Sequence, residues 1–153
     1  MKSILDQKDG TCYLCRMLYG DHTQKTVQEH HVFYGTAKRK LSEKYGLKVY
    51  LCLYHHTGDI RGTKEAVHKN KEMADLLHRE AQEAFIKAYP NLNFMKIFGK
   101  SWLSVEEITE IMVEEKTEAG GQMAAEKAEP EGKTAAVPEG FRWNTSLDEE
   151  IPL

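Results

Sequence analysis

A chain of 153 residues, 41% hydrophobic and 29% charged, has room for one domain of ordinary size and a tail. No apolar run approaches the roughly 18 residues a membrane helix needs, which excludes a transmembrane reading. The formal charge of −3 hides a division: residues 1–100 carry 17 Lys and Arg against 11 Asp and Glu, whereas residues 101–153 carry 4 against 13. A basic body with an acidic tail suits a partner that is itself a polyanion.

Taken in chain order, "MKSILDQKDG" has no apolar stretch long enough for a signal peptide, and the expectation is a cytoplasmic protein. Residues 23–34, "TQKTVQEHHVFY", are rich in β-branched and aromatic residues and predict a strand ending near Tyr34. "GTAKRKLSEKYG", bracketed by Gly35 and Gly46, reads as a loop or short helix. "LKVYLCL" at 47–53 predicts a second strand, and "TGDIRGT" a glycine-bearing break. From Lys64 the pattern turns helical, with Met73, Leu77, Ala81, Phe85 and Tyr89 forming a core stripe before Pro90. "NFMKIFGKSWL" predicts a short apolar helix, and Ser104 and Glu107 form a capping box opening a helix from about Val105 to Glu115. The segment 116–140 is Ala, Glu, Gly and Pro with little to bury, and predicts a disordered linker.

Two half-sites carry the first chemistry. Cys12 and Cys15 make C-x-x-C, and Cys52 and His55 repeat that spacing with nitrogen as the fourth donor. Three sulfurs and one imidazole suit a closed structural Zn²⁺ site. A lone C-x-x-C also suits a redox dithiol, but the matched second half-site counts against it. The odd number of cysteines argues against a complete disulfide framework. Four of the seven histidines fall in two doublets, His30–His31 and His55–His56, and His68 opens the helix that follows. Neighbouring side chains on a strand face apart, so His30 and His31 are expected to do different jobs.

The order C-x-x-C, a strand ending in "HHVF", then a strand running into C-x-x-H-H and a helix resembles the HNH nucleases, over roughly residues 12–80. The resemblance implies an α+β fold with a ββα-metal (His-Me finger) core on a treble-clef zinc scaffold, followed by helices and an acidic tail. It is similar in particular to small HNH-type proteins encoded by phages and prophages, which implies DNA processing or recombination in a bacterial host. By position, His31 matches the general base, His30 and His56 match ligands of a catalytic Mg²⁺ or other divalent cation, and His68 completes that shell or contacts phosphate. The family's middle Asn is absent from "EKYGLKVYLC", so the hydrogen bond orienting the base must come from elsewhere, such as a backbone carbonyl.

An imidazole titrating near ~6.5 can accept a proton from water, and a divalent ion can neutralise charge on a phosphate. Lys38, Arg39 and Lys40 offer cations to flanking DNA backbone, or form a solvated loop. The expected organisation is a nuclease domain over 1–103, a helix over 104–115, a linker over 116–140 and a tail peptide over 141–153. "GFRWNTSLDEEIPL" resembles the acidic tip of bacterial single-stranded-DNA-binding proteins and implies docking on a replication or repair protein. A non-catalytic zinc module that binds nucleic acid, or an accessory recombination protein, are the other readings.

Overall fold

A computed structural model describes residues 1–126; the tail peptide and the rest of the expected linker lie outside the described residues. The chain divides into two units, residues 1–116 and residues 117–153.

Helix α1, Tyr13–Tyr19, starts directly after Cys12 and stops at Gly20, whose left-handed φ of 62° lets its N–H reach back to Arg16 and Cys15 carbonyls. The two strands β1, Val27–His31, and β2, Lys48–Cys52, pair antiparallel with Val27 opposite Cys52 and His31 opposite Lys48. β1 is shorter than the expected 23–34. Thr23 is tied by its N–H and hydroxyl to Asp21, and beyond His31 the Val32 N–H goes to Leu47 outside the ladder. Asp6 and Ser3 supply partners for β2: the Asp6 carboxylate accepts from Tyr50 N–H at 2.9 Å, and Ser3 Oγ donates to the Lys48 carbonyl at 2.5 Å. Side chains thus satisfy backbone groups of a strand that has only one strand neighbour.

Between the strands, Thr36–Tyr45 forms a full ten-residue helix, α2, where a loop or short helix was expected. Ser42 anchors it: its hydroxyl accepts from Phe33 N–H and donates to the Phe33 carbonyl, both at 3.0 Å. α3, Leu53–His56, is one turn that follows β2 without a gap. The main helix α4, Lys71–Ala88, begins later than Lys64 because Asn70 caps it, accepting from Glu72 and Met73 N–H. His68 therefore precedes the helix rather than opening it. Leu77, Ala81 and Phe85 are buried as the periodicity requires, and His78 and Gln82 share that buried face.

α5, Phe94–Phe98, brings Phe94 and Phe98 onto Phe33, with ring centroids 5.7 and 4.6 Å away. The core thus joins Leu14 from α1, Val49 and Leu51 from β2, Phe85 from α4 and this aromatic group. Ser104 and Glu107 form the expected reciprocal cap of α6, at 2.7 and 3.2 Å. α6 itself runs Val105–Glu126, eleven residues past the expected Glu115. The expectation of a disordered linker from 116 is thereby corrected over 116–126. Ala, Glu, Gln, Met and Lys are strong helix formers, and two glycines costing roughly 1 kcal/mol each do not interrupt them. The architecture is mixed α+β: a two-stranded sheet with helices. Among the described residues, no helix is long and apolar enough to cross a membrane.

Candidate metal centres

The two cysteine half-sites meet. Cys12 at the start of α1 and Cys15 in its first turn face Cys52 at the end of β2 and His55 in α3, and all four are buried. His55 Nδ1 lies 3.5, 3.4 and 3.5 Å from the sulfurs of Cys12, Cys15 and Cys52, and Cys15 and Cys52 sulfurs are 3.9 Å apart. Tetrahedral Zn²⁺ with bonds of ~2.3 Å to sulfur and ~2.0 Å to nitrogen puts S and N about 3.5 Å apart and two sulfurs about 3.8 Å apart. The donor spacing is that of a closed zinc site. None of the three cysteines is in a disulfide.

The electrostatics agree. Burial pushes the Cys12 thiol up and Cys15 up to about 12, so these sulfurs stay protonated unless a cation favours the thiolate. Burial also lowers the His55 pKa, keeping it neutral, although Glu65 opposes that shift. Glu65 Oε2 accepts from His55 Nε2–H at 3.2 Å, which fixes the tautomer with the Nδ1 lone pair toward the sulfurs. Tyr19 hydroxyl donates to the same carboxylate. Neither Glu65 nor Tyr19 carries any signal in the sequence, since the contact depends on how 57–70 folds back over α1.

A second group lies on the other side of the α3 doublet. His30 from β1, His56 from α3 and His68 from the segment before α4 place one ring nitrogen each within 4.8 Å of the others. His56 and His68 Nε2 are 3.1 Å apart, and the His30 ring lies 5.2 Å from His56 and 4.9 Å from His68. Backbone hydrogen bonds from Val67 N–H to the His55 carbonyl and from His68 N–H to the His56 carbonyl clip the two segments together. Exposure is graded: His30 is buried, His56 half-buried and His68 exposed. Burial first, then the neighbouring imidazoles, lowers the His30 pKa to about 3, and burial lowers that of His56. Both rings are therefore neutral at pH 7, as metal ligands must be. Gln28 Oε1 accepts from His56 Nδ1–H at 2.7 Å, leaving Nε2 to face the group. Gln28 escaped notice in the sequence, yet its signal was there: it stands two residues before His30 and so shares its face of β1.

His31 is not in this group. It faces Glu29 and Glu43 on the opposite side of β1, with Nε2 donating to Glu43 Oε2 at 2.9 Å. Lys48 Nζ bridges the same carboxylates at 3.0 and 3.3 Å, and the N-terminal amine also pairs with Glu43. These contacts, the N-terminal amine first, hold the Glu43 carboxyl down at about 2. With Lys48 and the N-terminal amine seated on its carboxylates, this group forms an ion-pair network. The partner orienting His31 is thus a carboxylate from α2 rather than a backbone carbonyl. Lys38, Arg39 and Lys40 are all exposed on α2. Successive steps of about 100° fan them apart, and of the three only Lys38 lines a cavity that His68 also lines.

No protein-family model, curated protein or solved structure matches this chain.

Proposed function

We propose that this chain is a metal-dependent phosphodiesterase acting on DNA, built on a ββα-metal core stapled by zinc. The observation that carries the reading is the convergence of three imidazole nitrogens from β1, α3 and the pre-α4 segment on one point at the protein surface. Three imidazole ligands with one exposed edge leave positions open for a substrate oxygen. An all-nitrogen donor set suits a transition ion such as Mn²⁺, Co²⁺ or Zn²⁺ better than Mg²⁺, which favours oxygen ligands. When bound there, such an ion supplies charge neutralisation at the phosphate and the leaving oxygen.

The chain's own groups do the rest. His30, His56 and His68 would hold the ion, with Gln28 orienting His56. His31 is the base: with Nε2–H committed to Glu43, its Nδ1 lone pair is the one able to take a proton. The resemblance to HNH nucleases gives His31 the role of taking a proton from the attacking water, as the new O–P bond forms and the bond to the sugar oxygen breaks, and of passing it to the leaving oxygen. Its ring lies on the Glu29–Glu43 side of β1, so this role comes from the resemblance and not from the geometry of the trio. Glu43 stands in for the absent Asn, fixing the tautomer and stabilising the imidazolium as a carboxylate does in other His-based sites. DNA is the substrate class because the resemblance to HNH nucleases and the net +6 of residues 1–100 both point there.

A supercoiled-plasmid nicking assay with Mn²⁺, Co²⁺ or Mg²⁺, against EDTA, tests the reading. His31→Ala should lose about 10²–10⁴-fold in rate while keeping zinc content and fold. One observation favours a second reading, a non-catalytic nucleic-acid-binding module: His31 sits outside the histidine trio. Tight DNA binding with no cleavage under any of these ions decides for the module.

A further inference from the structure

Next to the trio is a cavity of about 550 Å³ that shares His68 with it. Its size falls in the roughly 300–1,000 Å³ range of sites that enclose a small organic group. The walls combine two kinds of side chain. Tyr34 and Trp102 supply aromatic rings, and Lys38, Lys69, Lys71 and Lys100 supply cations, Lys100 lying over the Trp102 ring. The only acid in the lining, Asp75, is already engaged by Lys71 and by Trp102 Nε1–H at 3.2 Å. Lys38 and Lys69 have no ion-pair partner among the described residues.

Tyr34 decides what such a cavity is for. It is 53% exposed, with its ring 5.9 Å from that of His68 and 6.2 Å from that of His78. Its backbone is not free to swing: Phe33 before it is buried and doubly bonded to Ser42, and α2 starts two residues later. Trp102 forms the fixed wall beside it, its N–H donating to Gln82 Oε1 at 2.7 Å and its indole N–H to Asp75, with its ring already met by Lys100 Nζ at 4.8 Å and by the His78 ring at 4.5 Å. Tyr34, an exposed ring anchored in a cationic recess, matches a group that is flat, apolar on its faces and joined to phosphates. A base inside a continuous duplex has both faces covered by its neighbours. An unstacked base has them free.

We infer that this cavity receives an unstacked nucleotide adjoining the phosphate held at the trio, so that the preferred substrate is single-stranded or branched DNA rather than continuous duplex. The inference rests on the phosphodiesterase reading for the position of that phosphate. The base lies against the exposed ring of Tyr34, while Lys38 and Lys69 take the flanking phosphates. Base–aromatic stacking of roughly 1–3 kcal/mol per base corresponds to about a 5- to 150-fold preference.

The experiment uses the full zinc-loaded chain with a fluorescent DNA strand of about 12 nucleotides, free or in a blunt duplex of the same sequence. Anisotropy gives affinity without added transition ion, and cleavage is then started with Mn²⁺. The expected result is tighter binding of the single strand, a loss of about tenfold on it for Tyr34→Ala with less than about twofold on the duplex, and retention by Tyr34→Phe. Lys69→Ala should weaken both forms alike. A Tyr34→Ala loss that is equal on the two DNAs, or absent, overturns the inference even if the wild type cleaves. Selective loss for Tyr34→Ala without any cleavage supports the cavity and overturns the phosphodiesterase reading. Failure to bind either DNA overturns both.

Discussion

The two histidine-bearing centres differ in one respect that sets their roles: the Cys12–Cys15–Cys52–His55 centre is buried on every side, whereas the His30–His56–His68 centre runs from buried to exposed. They are joined by a single peptide bond, between His55 and His56. One turn of α3 sends successive side chains about 100° apart and so divides one doublet between two centres. β1 makes the same division for His30 and His31 by 180°, giving one imidazole to the trio and the other to a carboxylate network. The lesson is one of access: four donors with no exposed edge suit a closed site, while three donors with an edge leave room for a further ligand.

The sharpest way to break this contrast is Cys12→Ser. A closed zinc site contributes folding free energy outright, on the order of 10 kcal/mol for small zinc domains. The variant should lose one equivalent of tightly bound zinc and its cooperative unfolding transition, read by metal analysis and circular dichroism. His56→Ala should do the opposite: keep zinc and fold, but lose the second ion. Isothermal titration with Mn²⁺ or Co²⁺ checks it, and an unchanged second binding event would dissolve the distinction between the centres.

Acid separates them next. The folded His30 pKa of about 3 lies below the ~6.5 of an unfolded imidazole. Between those values the unfolded chain binds a proton that the folded chain refuses, so stability is full above about 6.5 and falls as pH drops toward 3. In EDTA at a concentration that strips the trio but not the cysteine centre, the Tm should fall by ~10 °C or more between pH 7 and 4. His30→Gln should flatten that slope. The smallest effects come from the groups behind the ligands. Gln28→Ala should weaken the trio's ion by about 10–100-fold without touching zinc, and Glu65→Ala should weaken zinc by a similar factor without touching the trio. Competition with a coloured chelator measures both.

The Cys12–Cys15 half-site, the Cys52–His55 half-site, the α4 stripe of Leu77, Ala81 and Phe85, and the Ser104–Glu107 cap are all settled within a few consecutive residues. For that reason the sequence by itself determined them: spacing along one element dictates direction when the element is regular. It determined too that His30 and His31 must part, because alternation is a property of any strand. What it did not determine is where each went. That required the β1–β2 register, which sets His31 opposite Lys48, and the packing of α2, which delivers Glu43. Likewise Glu65 reaches His55 and Gln28 reaches His56 only because 57–70 folds back and α3 lies against β1. The ends of elements were decided late as well. Asn70 capping moved the start of α4 past His68, leaving that imidazole free to join the trio through its backbone bond to His56. Local spacing is a short-range constraint and reads directly from the chain. Partnerships across 10 to 45 residues depend on how segments dock, and burial and hydrogen bonding settle that only once the whole core has formed.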